Sequence, residues 1–570
     1  MKKVTPGFLG YSSSSGWRLF GKVCSVWLCL CFGFQKMTTA QQGNKAPAAV
    51  KGLSLEIPGL PSNPLDIVWD RLPLLKGDRI TVFEGVENKT AFNHHPTIFY
   101  YKDKFFATWS NGDKDEDFSM QRVMFATSTD GYKWSKAMNM TGSIPERAYT
   151  PCGFWVREGE LFALASLSDS RASSLDSRDN RMMLSYRWNA ATSTFEYSGT
   201  VARGFYGIEG PRQVADGQWF MFGKPDTKAV PADSIMQFAR GGKNAMDAWS
   251  IKPIPDNEIA HDISWYALPD GNLLAVEAKG NVPDRRLVSM YSNDNGSSWS
   301  APERSNFPDA DSRLYGMRLS NGRYVLLNNP NLSRYRVPLS IALSTDGKKY
   351  DRMANIRIEQ TNKKYSGHAK APGYQYMRAF EHAGKLWIIY SVDKENIEIT
   401  TVSLEEIERF YAVDQTYDSR KPSVEIIIDN NEKGFETNSP WPTDTAAGIF
   451  DGVRLGYHGR DYSYMKNSKT MTAGWAKWTP EITRPGVYAV YMKWATTGFG
   501  SKSAMADIAP IEIRHPGGVH RSSVDQSRYG GTWMYLGSFT MKAGDDSYVK
   551  IYSGKNGTTV ADAVKFVMMK

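Results

Sequence analysis

Cysteine is scarce in this chain of 570 residues, which contains only four. Three of them, Cys24, Cys29 and Cys31, lie close to the amino terminus, so Cys152 is the single cysteine in the rest of the sequence. One thiol alone forms neither an internal disulfide nor a thiolate metal cluster. The main part of the chain is therefore predicted to fold without disulfide bonds.

Long hydrophobic runs are also missing. The apolar run 23–34 follows four basic residues and is shorter than the roughly 20 residues that a membrane span needs. Thr38-Thr39-Ala40 provides small residues for cleavage. The pattern predicts a signal peptide at residues 1–40, hence export to the periplasm, the cell surface or the medium, and no membrane span.

Runs of like charge are absent although the net charge is +9. Lysines and arginines are scattered, which argues against a nucleic-acid partner, whereas an exported basic protein suits an acidic polysaccharide. The chain also has no phosphate-binding glycine loop, nucleophile elbow or dinucleotide motif. No cofactor or metal is predicted, although a structural cation such as calcium stays open, and the protein is expected to be a monomer.

Aromatic residues (13%) and 49 glycines are abundant, which is typical of short strands joined by tight turns. From about residue 66 to 420, turn clusters such as Pro269-Asp270-Gly271-Asn272 separate runs of aromatic and aliphatic residues. At about 50 residues per four-stranded blade, this stretch predicts an all-β, seven-bladed β-propeller, with six blades as the alternative. Residues 41–65 form an N-terminal lead-in.

A degenerate turn motif recurs within this stretch. Ser292 to Trp299 follows the form Ser-x-Asp-x-Gly-x-x-Trp, and Ser128 to Trp134 and Ser344 to Tyr350 are shorter variants. The serine and aspartate cap a hairpin turn, and the glycine takes a positive φ. The motif resembles the Asp-box of sialidase-like β-propellers, where its role is structural, so it indicates an architecture and leaves the function open.

The character of the sequence changes after Lys421-Pro422. Residues 421–570 resemble the C-terminal domain of golvesin and xanthan lyase, which implies a β-sandwich related to carbohydrate-binding modules. Sugar binding and a packing or spacer role are both open for this domain. The segments that carry the resemblance are Val424 to Asn430, Trp475-Ala476-Lys477-Trp478, Gly486 to Tyr491, His515-Pro516-Gly517-Gly518, Val524-Asp525-Gln526, Trp533 to Gly537 and Ala561-Asp562-Ala563-Val564.

The propeller does not resemble a true sialidase at its first strand. Sialidases begin there with Arg-Ile-Pro, whose arginine helps to hold the substrate carboxylate, whereas this chain has His94-His95-Pro96. Residues 66–412 instead resemble sialidase-like propellers that cleave terminal rhamnose from glucuronic acid, namely polysaccharide lyase families 27 and 42 and glycoside hydrolase family 145. The segments that carry this resemblance are Asn93 to Pro96, Trp109 to Gly112, Glu116-Asp117, Gln121-Arg122-Val123, Pro338-Leu339-Ser340, Gly373 to Tyr376 and Tyr390 to Glu398.

The resemblance implies an essential histidine near the start of the propeller, where His94 and His95 stand. Side chains alternate along a regular strand, so only one of the two is expected to face the site. A purely structural role for both histidines is the alternative. Imidazole suits the chemistry because it transfers protons near neutral pH.

The implied activity is an exo-acting rhamnose–glucuronate lyase acting on acidic plant glycans of the arabinogalactan type. In this β-elimination the uronate carboxylate is neutralised and the C5 proton is removed by a histidine or tyrosine. Tyr374 is the third catalytic candidate. The substrate-binding candidates are Arg122, Arg212, Tyr315, Arg318, Lys370 and Tyr376.

Two alternatives remain open at this point. An α-L-rhamnosidase would hydrolyse the same linkage, a reaction that normally uses two carboxylates, and no spacing in the sequence selects such a pair. A non-catalytic, glycan-binding propeller is the alternative from a different class.

Overall fold

The computed structural model describes residues 52–569 except positions 63, 65–66, 171–179, 227–235, 255–259, 280–285, 331–335, 360, 362, 366, 368, 371, 419–423, 446–448, 451–452, 455–460, 467–473, 496–504, 528–532, 545 and 555–556. The predicted signal peptide and the first part of the lead-in lie outside the described residues. Lys51–Lys570 form one compact unit. Within the described ranges, no helix combines the length and the apolar character needed to cross a membrane.

Six antiparallel sheets follow one another through the first part of the described chain. They are preceded by β1 (Ser54–Leu55), a 3-10 turn (Trp69–Arg71) and β2 (Asp78–Phe83). Blade 1 contains β3 (Phe92–Tyr101), β4 (Lys104–Gly112), β5 (Arg122–Ser128) and β6 (Met138–Asn139). Blade 2 contains β7 (Arg147–Arg157), β8 (Glu160–Asp169), β9 (Met182–Asn189) and β10 (Thr194–Arg203). Blade 3 contains β11 (Phe205–Gly207), β12 (Arg212–Gln213), β13 (Trp219–Pro225), β14 (Gln237–Gly241) and β15 (Trp249–Pro253).

The remaining three blades follow the same plan. Blade 4 contains β16 (Ala260–Ala267), β17 (Leu273–Lys279), β18 (Arg286–Ser292) and β19 (Glu303–Pro308). Blade 5 contains β20 (Tyr315–Arg318), β21 (Tyr324–Asn328), β22 (Leu339–Ser344), β23 (Lys349–Tyr350) and β24 (Arg352–Arg357), of which β23 pairs with β1 instead. Blade 6 contains β25 (Tyr374–His382), β26 (Lys385–Val392) and β27 (Asn396–Ser403).

Strand β2 closes the propeller. It pairs antiparallel with β27, with Ile80 opposite Ile399, and so provides the fourth strand of blade 6. The last blade therefore takes its outer strand from the start of the propeller, which holds the ring closed.

The all-β propeller class is confirmed, whereas the described residues form six blades rather than seven. The blades begin at Phe92, Arg147, Phe205, Ala260, Tyr315 and Tyr374, which are 55 to 59 residues apart. The prediction of seven blades used about 50 residues per blade. Here the strands are long, with up to 11 residues in β7, and the same length of chain therefore builds fewer blades.

Strands in the middle of the blades are apolar nearly throughout, because each blade packs against a neighbour on both faces. Every residue of β21 and β22 is buried. This burial explains why these segments read as continuous hydrophobic runs rather than as alternating ones.

The repeated turn motif has the predicted structural role. Ser128 Oγ accepts a hydrogen bond from the Gly131 amide (2.8 Å), and Asp130 Oδ1 accepts one from the Lys133 amide (2.8 Å). Gly131 has a φ of +76°, which favours glycine. The same serine–aspartate contact recurs between Ser292 and Asp294 and between Ser344 and Asp346.

A short helix and a second β domain complete the chain. The helix is α1 (Leu404–Tyr411), which begins after Ser403, whose side chain accepts a hydrogen bond from Glu406 N. The later strands are β28 (Glu425–Ile428), β29 (Phe435–Thr437), β30 (Thr443–Thr445), β31 (Ile449–Phe450), β32 (Val453–Arg454), β33 (Asp461–Met465), β34 (Trp475–Trp478), β35 (Gly486–Lys493), β36 (Ala509–His515), β37 (Gly518–Val524), β38 (Met534–Met541), β39 (Tyr548–Tyr552), β40 (Thr559–Ala561) and β41 (Ala563–Met568).

These strands form a β-sandwich. One sheet has the order β28-β41-β35-β38 and the other the order β29-β34-β39-β36-β37. Trp478 and Trp494 are among the largest fully buried side chains. One continuous cluster of buried apolar residues extends from blades 5 and 6, through Ile407 of α1, into the sandwich. The two parts of the chain therefore share a hydrophobic core.

Candidate active site

The two neighbouring histidines lie near the start of β3, and their rings lie together on one side of the strand. The ring centroids of His94 and His95 are 4.3 Å apart, and both rings contact Tyr376, at 4.2 and 5.2 Å. The register between β3 and β4 shifts between His94 and Thr97, and His95 has a φ of +53°. Such a bulge redirects side chains. The expectation that only one histidine can face the site is therefore wrong.

A serine hydroxyl contacts the Nδ1 atom of each ring. His94 Nδ1 lies 2.7 Å from Ser391 Oγ, and His95 Nδ1 lies 3.1 Å from Ser110 Oγ. Ser391 Oγ donates its own hydrogen to the Gln375 carbonyl (3.4 Å), so it accepts from His94 Nδ1–H. His94 then carries its lone pair on Nε2, which has no hydrogen-bond partner among the described residues.

Glu116 and Lys394 extend the histidine pair. His95 Nε2 lies 3.2 Å from Glu116 Oε1, and Glu116 Oε2 lies 2.5 Å from Lys394 Nζ. Burial raises the pKa of the Glu116 carboxyl, but Lys394 and the histidines outweigh it and hold that pKa well below its usual range. Glu116 is therefore a carboxylate at neutral pH, and it links the imidazole to the ammonium group.

Both imidazoles are neutral at neutral pH. Burial, reinforced by the positive charge of Lys394, lowers the pKa of His94 well below 6.5. Burial also lowers the pKa of His95, although Glu116 opposes this effect. A neutral imidazole is the form that accepts a proton.

Tyr376 lies beside several cationic groups. The guanidinium carbons of Arg313 and Arg336 are 4.7 and 5.2 Å from its ring centroid, and Lys394 Nζ is 5.9 Å away. Tyr376 has a φ of +55°, next to a register shift in β25. Burial raises the pKa of its hydroxyl well above 10, so the phenol stays protonated.

The arginines are fixed by buried partners. Arg313 Nε donates to Asp262 Oδ1 (2.8 Å), and Arg378 Nη2 donates to the Ile208 carbonyl (2.9 Å). Burial and the nearby Arg313 lower the pKa of Arg378 to about 10, so it remains charged at neutral pH. These groups come from blades 3 to 6, which places the cluster on the axis where the blades meet.

Three side chains also have the composition of a metal site. His94, His95 and Glu116 each offer a ligand atom, and these atoms lie within 4.8 Å of one another. However, the Lys394 ammonium already contacts Glu116, and further cationic groups surround Tyr376. A divalent cation would be repelled by these charges, so the cluster suits proton transfer better than metal binding.

The structure does not bring Tyr374 together with the histidines. Its hydroxyl donates to the Glu359 carbonyl (3.0 Å), and its ring packs edge-on against Tyr390 in the hydrophobic core. Tyr374 and Tyr376 would share a face on a regular strand, but the irregularity of β25 directs them to different surroundings.

Among the described residues, no contact joins the predicted Arg122, Arg212, Arg318 or Tyr315 to the histidine pair. Arg212 is paired with both carboxylate oxygens of Glu209 at 3.2 Å. Tyr315 is half-buried beneath the guanidinium of Arg378, 5.1 Å from its ring. Arg318 is exposed at the far end of β20, and Arg122 is half-buried on β5 without an ion pair among the described residues.

Lys370 lies close to the site, but its ammonium group is already paired with groups of the protein itself. It is fully buried, and its Nζ donates to the Ala91 carbonyl (2.7 Å) and to Glu395 Oε1 (3.3 Å). Burial lowers its pKa below the usual value. Glu395 directly follows Lys394, so the contact with Lys370 helps to hold the backbone next to Lys394 in place.

Sequence reasoning missed the arginines that surround Tyr376. Arg313 and Arg336 contact the Tyr376 ring, and Arg378 lies near Arg313. None of the three stands in a motif, and the packing of blade 5 against blade 6 brings them together. Arg313 lies two residues before the predicted Tyr315, and Arg378 lies two residues after the predicted Tyr376. The residues selected from the sequence therefore lie close to these arginines in the chain.

Comparisons with known proteins agree with this architecture. Residues 102–395 match the BNR repeat-like domain family, and residues 426–568 match the Golvesin C-terminal domain. A xanthan lyase from Bacillus sp. (strain GL1) is 28% identical over 147 residues, which are 25% of this chain and 14% of that protein. The chain thus matches only a small part of that relative's length.

Solved structures give matches that are more distant in sequence. A sialidase is 16% identical with a TM-score of 0.45, covering 91% of this chain and 51% of that chain. Trypanosoma rangeli sialidase in complex with sialic acid is 11% identical with a TM-score of 0.45, covering 88% and 97%. The Penicillium chrysogenum alpha-L-arabinanase complexed with arabinobiose is 12% identical with a TM-score of 0.40, covering 58% and 99%.

Proposed function

The chain belongs to the BNR repeat-like domain family, and from this premise we propose that it is a carbohydrate-active lyase. Its proposed substrate is an acidic plant glycan that ends in L-rhamnose linked to O4 of glucuronic acid. The sequence resemblance of residues 66–412 supports this substrate class. The predicted signal peptide supports a site of action outside the cytoplasm.

One observation carries the proposal: a buried, neutral imidazole with a free ring nitrogen lies beside a group of fixed cations. His94 Nε2 has no hydrogen-bond partner among the described residues, and Arg313 and Arg336 lie next to the Tyr376 ring that both histidines contact. A uronate carboxylate is attracted to such cations. Its C5 proton would then be acidic enough for a neutral imidazole to remove.

The reaction follows from these groups. His94 Nε2 takes the proton from C5, the electron pair forms a C4–C5 double bond, and the C4–O4 bond breaks. In glucuronate the C5 hydrogen and O4 lie on the same face, so the protonated His94 returns its proton to the departing rhamnose oxygen. The products are free rhamnose and an unsaturated uronate, and no other reactant is consumed.

The carboxylates of the site favour elimination over hydrolysis. A glycoside hydrolase usually needs one carboxylic acid and one carboxylate on either side of the linkage. Glu116 is paired with Lys394, Asp262 with Arg313, and Glu209 with Arg212. These three carboxylates neutralise basic side chains, which does not fit the role of a protonated acid.

Digestion of a rhamnosyl-glucuronate oligosaccharide tests the proposal. Elimination releases rhamnose together with the ultraviolet absorbance of the unsaturated uronate. Release of rhamnose without absorbance would identify an α-L-rhamnosidase instead. Binding of the oligosaccharide without release of rhamnose would identify a non-catalytic glycan-binding propeller.

A further inference from the structure

The described residues 361, 363–365, 367, 369–370 and 372–373 lie between blades 5 and 6, beside the proposed site, and are called the bridging segment here. Two of its amides bind one carboxylate: Lys364 N donates to Glu395 Oε2 (2.8 Å), and Tyr365 N donates to Glu395 Oε1 (2.7 Å). Lys370 Nζ also reaches Glu395, at 3.3 Å. The segment thus holds the residue that follows Lys394.

The bridging segment also holds the residue that precedes Glu116. The amide of Ala369 donates to Asp115 Oδ2 (3.1 Å), while Asp115 Oδ1 accepts from the Glu116 amide (2.9 Å). Both ends of the Lys394–Glu116 contact are therefore fixed through neighbours that bind the same segment. A displacement of this segment would move Glu116, which contacts His95, and Lys394, which pairs with Glu116.

The C-terminal domain contacts the bridging segment through a buried ion pair. Lys363 Nζ lies 3.1 Å from Asp525 Oδ2, and the two side chains are only 3% and 2% exposed. Asp525 Oδ1 is held by the amide and hydroxyl of Ser527, at 3.1 and 2.5 Å. The next residue, Gln526, exchanges two hydrogen bonds with the backbone of Val560. Hydrogen bonds within the sandwich therefore hold Asp525 in place.

We propose that Asp525 is a positioning residue for the Lys394–Glu116–His95 contacts, so that the C-terminal domain is a working part of the active site and not a spacer. The catalytic consequence rests on the proposed function, whereas the structural coupling does not. Removal of one partner of a buried pair leaves the other charge without compensation, which forces local rearrangement. Small displacements of catalytic groups are enough to reduce turnover strongly.

The test uses the full chain with Asp525→Asn, which keeps the shape and the contacts to Ser527. Lys363→Met is the second variant, in case the first folds poorly, because methionine retains most of the apolar stem. Asp546→Asn is the matched control, since its ion pair with Arg514 lies on the surface of the same domain. Hydrogen–deuterium exchange at the amides of Lys364, Tyr365 and Ala369 reports on the bridging segment, and imidazole NMR signals report on His95.

Both variants are expected to speed exchange at these three amides and to shift the His95 signals, while the control changes neither. With the rhamnosyl-glucuronate substrate, kcat is expected to fall by about a hundredfold while KM changes little. Unchanged exchange and unchanged imidazole signals in a folded variant would overturn the proposal, and so would faster exchange without an imidazole shift. These two readouts need no turnover, so they decide the coupling even if the substrate assignment fails.

Discussion

His94 and His95 are adjacent in sequence and in space, yet their second ring nitrogens differ. His95 Nε2 is engaged by Glu116 at 3.2 Å, whereas His94 Nε2 has no partner among the described residues. A base must have a free lone pair directed at the substrate. Of the two, His94 therefore fits the proton-transfer role and His95 fits a supporting role.

We expect His94→Ala to lower kcat by about a hundredfold to ten-thousandfold, the range for loss of a general acid–base group. His95→Ala should reduce kcat less and should retain the pH profile of a single base. The initial rate of unsaturated-uronate formation measures both effects. Equal activity of the two variants would refute the assignment of His94.

The pH profile provides a second test at the residue scale. A base with a lowered pKa stays deprotonated in mild acid, so kcat/KM should fall only well below pH 6.5. Lys394→Met removes a charge that lowers the pKa of His94 and frees the negative charge of Glu116, and both changes raise that pKa. The acid limb should therefore move to higher pH. Lys385→Met, at the blade rim, is the control that should leave the limb in place.

At the scale of elements, strand periodicity gave the wrong side-chain directions at two places, one in β3 and one in β25, and both strands are irregular there. Alternation correctly describes most of β3 and β25, but each contains a register shift beside a residue with positive φ. At those points His95 and Tyr376 turn towards the site instead of away from it. A positive φ is uncommon outside glycine, and although histidine adopts it more often than most residue types, neither a histidine nor a tyrosine in a sequence indicates it. These bulges could not be predicted from the sequence.

The turn motif, by contrast, was predictable because its interactions are local. Asp294 Oδ1 accepts from the Ser292 hydroxyl (2.8 Å) and the Ser298 amide (2.9 Å), and Oδ2 accepts from the Ser298 hydroxyl (2.6 Å). We expect Asp294→Ala to lower the free energy of unfolding by roughly 1–2 kcal/mol, given modest net values per hydrogen bond. Denaturant unfolding measures this loss, and kcat should not change. A large loss of kcat with unchanged stability would contradict a purely structural role.

For the whole molecule, composition and turn signals were sufficient to predict an all-β propeller followed by a second β domain. The number of blades was not predictable, because it depends on strand and loop lengths that the motif does not specify. The arginines next to Tyr376 could also not be predicted from the sequence. Arg313 and Arg336 belong to connections of blade 5, and only the packing of blade 5 against blade 6 brings them to Tyr376.

The shared hydrophobic core also has a consequence for stability. The buried cluster that includes Ile407 continues through Ile428 and Trp478 into the sandwich, so unfolding one part exposes apolar surface of the other. We expect a single cooperative thermal transition for the full chain, measured by calorimetry. Asp546→Asn, on the surface, should leave the transition undivided. Two well-separated transitions would show that the domains are independent.

The pairing of β2 with β27 also determines when the protein becomes chemically competent during its synthesis. His94 contacts Ser391, and Glu116 contacts Lys394, across almost 300 positions of chain. A growing chain that has produced five blades contains His94 and His95. It still lacks Ser391, which contacts His94, and Lys394, which pairs with Glu116. By the proposed mechanism, such a chain lacks groups that the reaction needs, so activity is expected only after the last blade has been made and packed against the first.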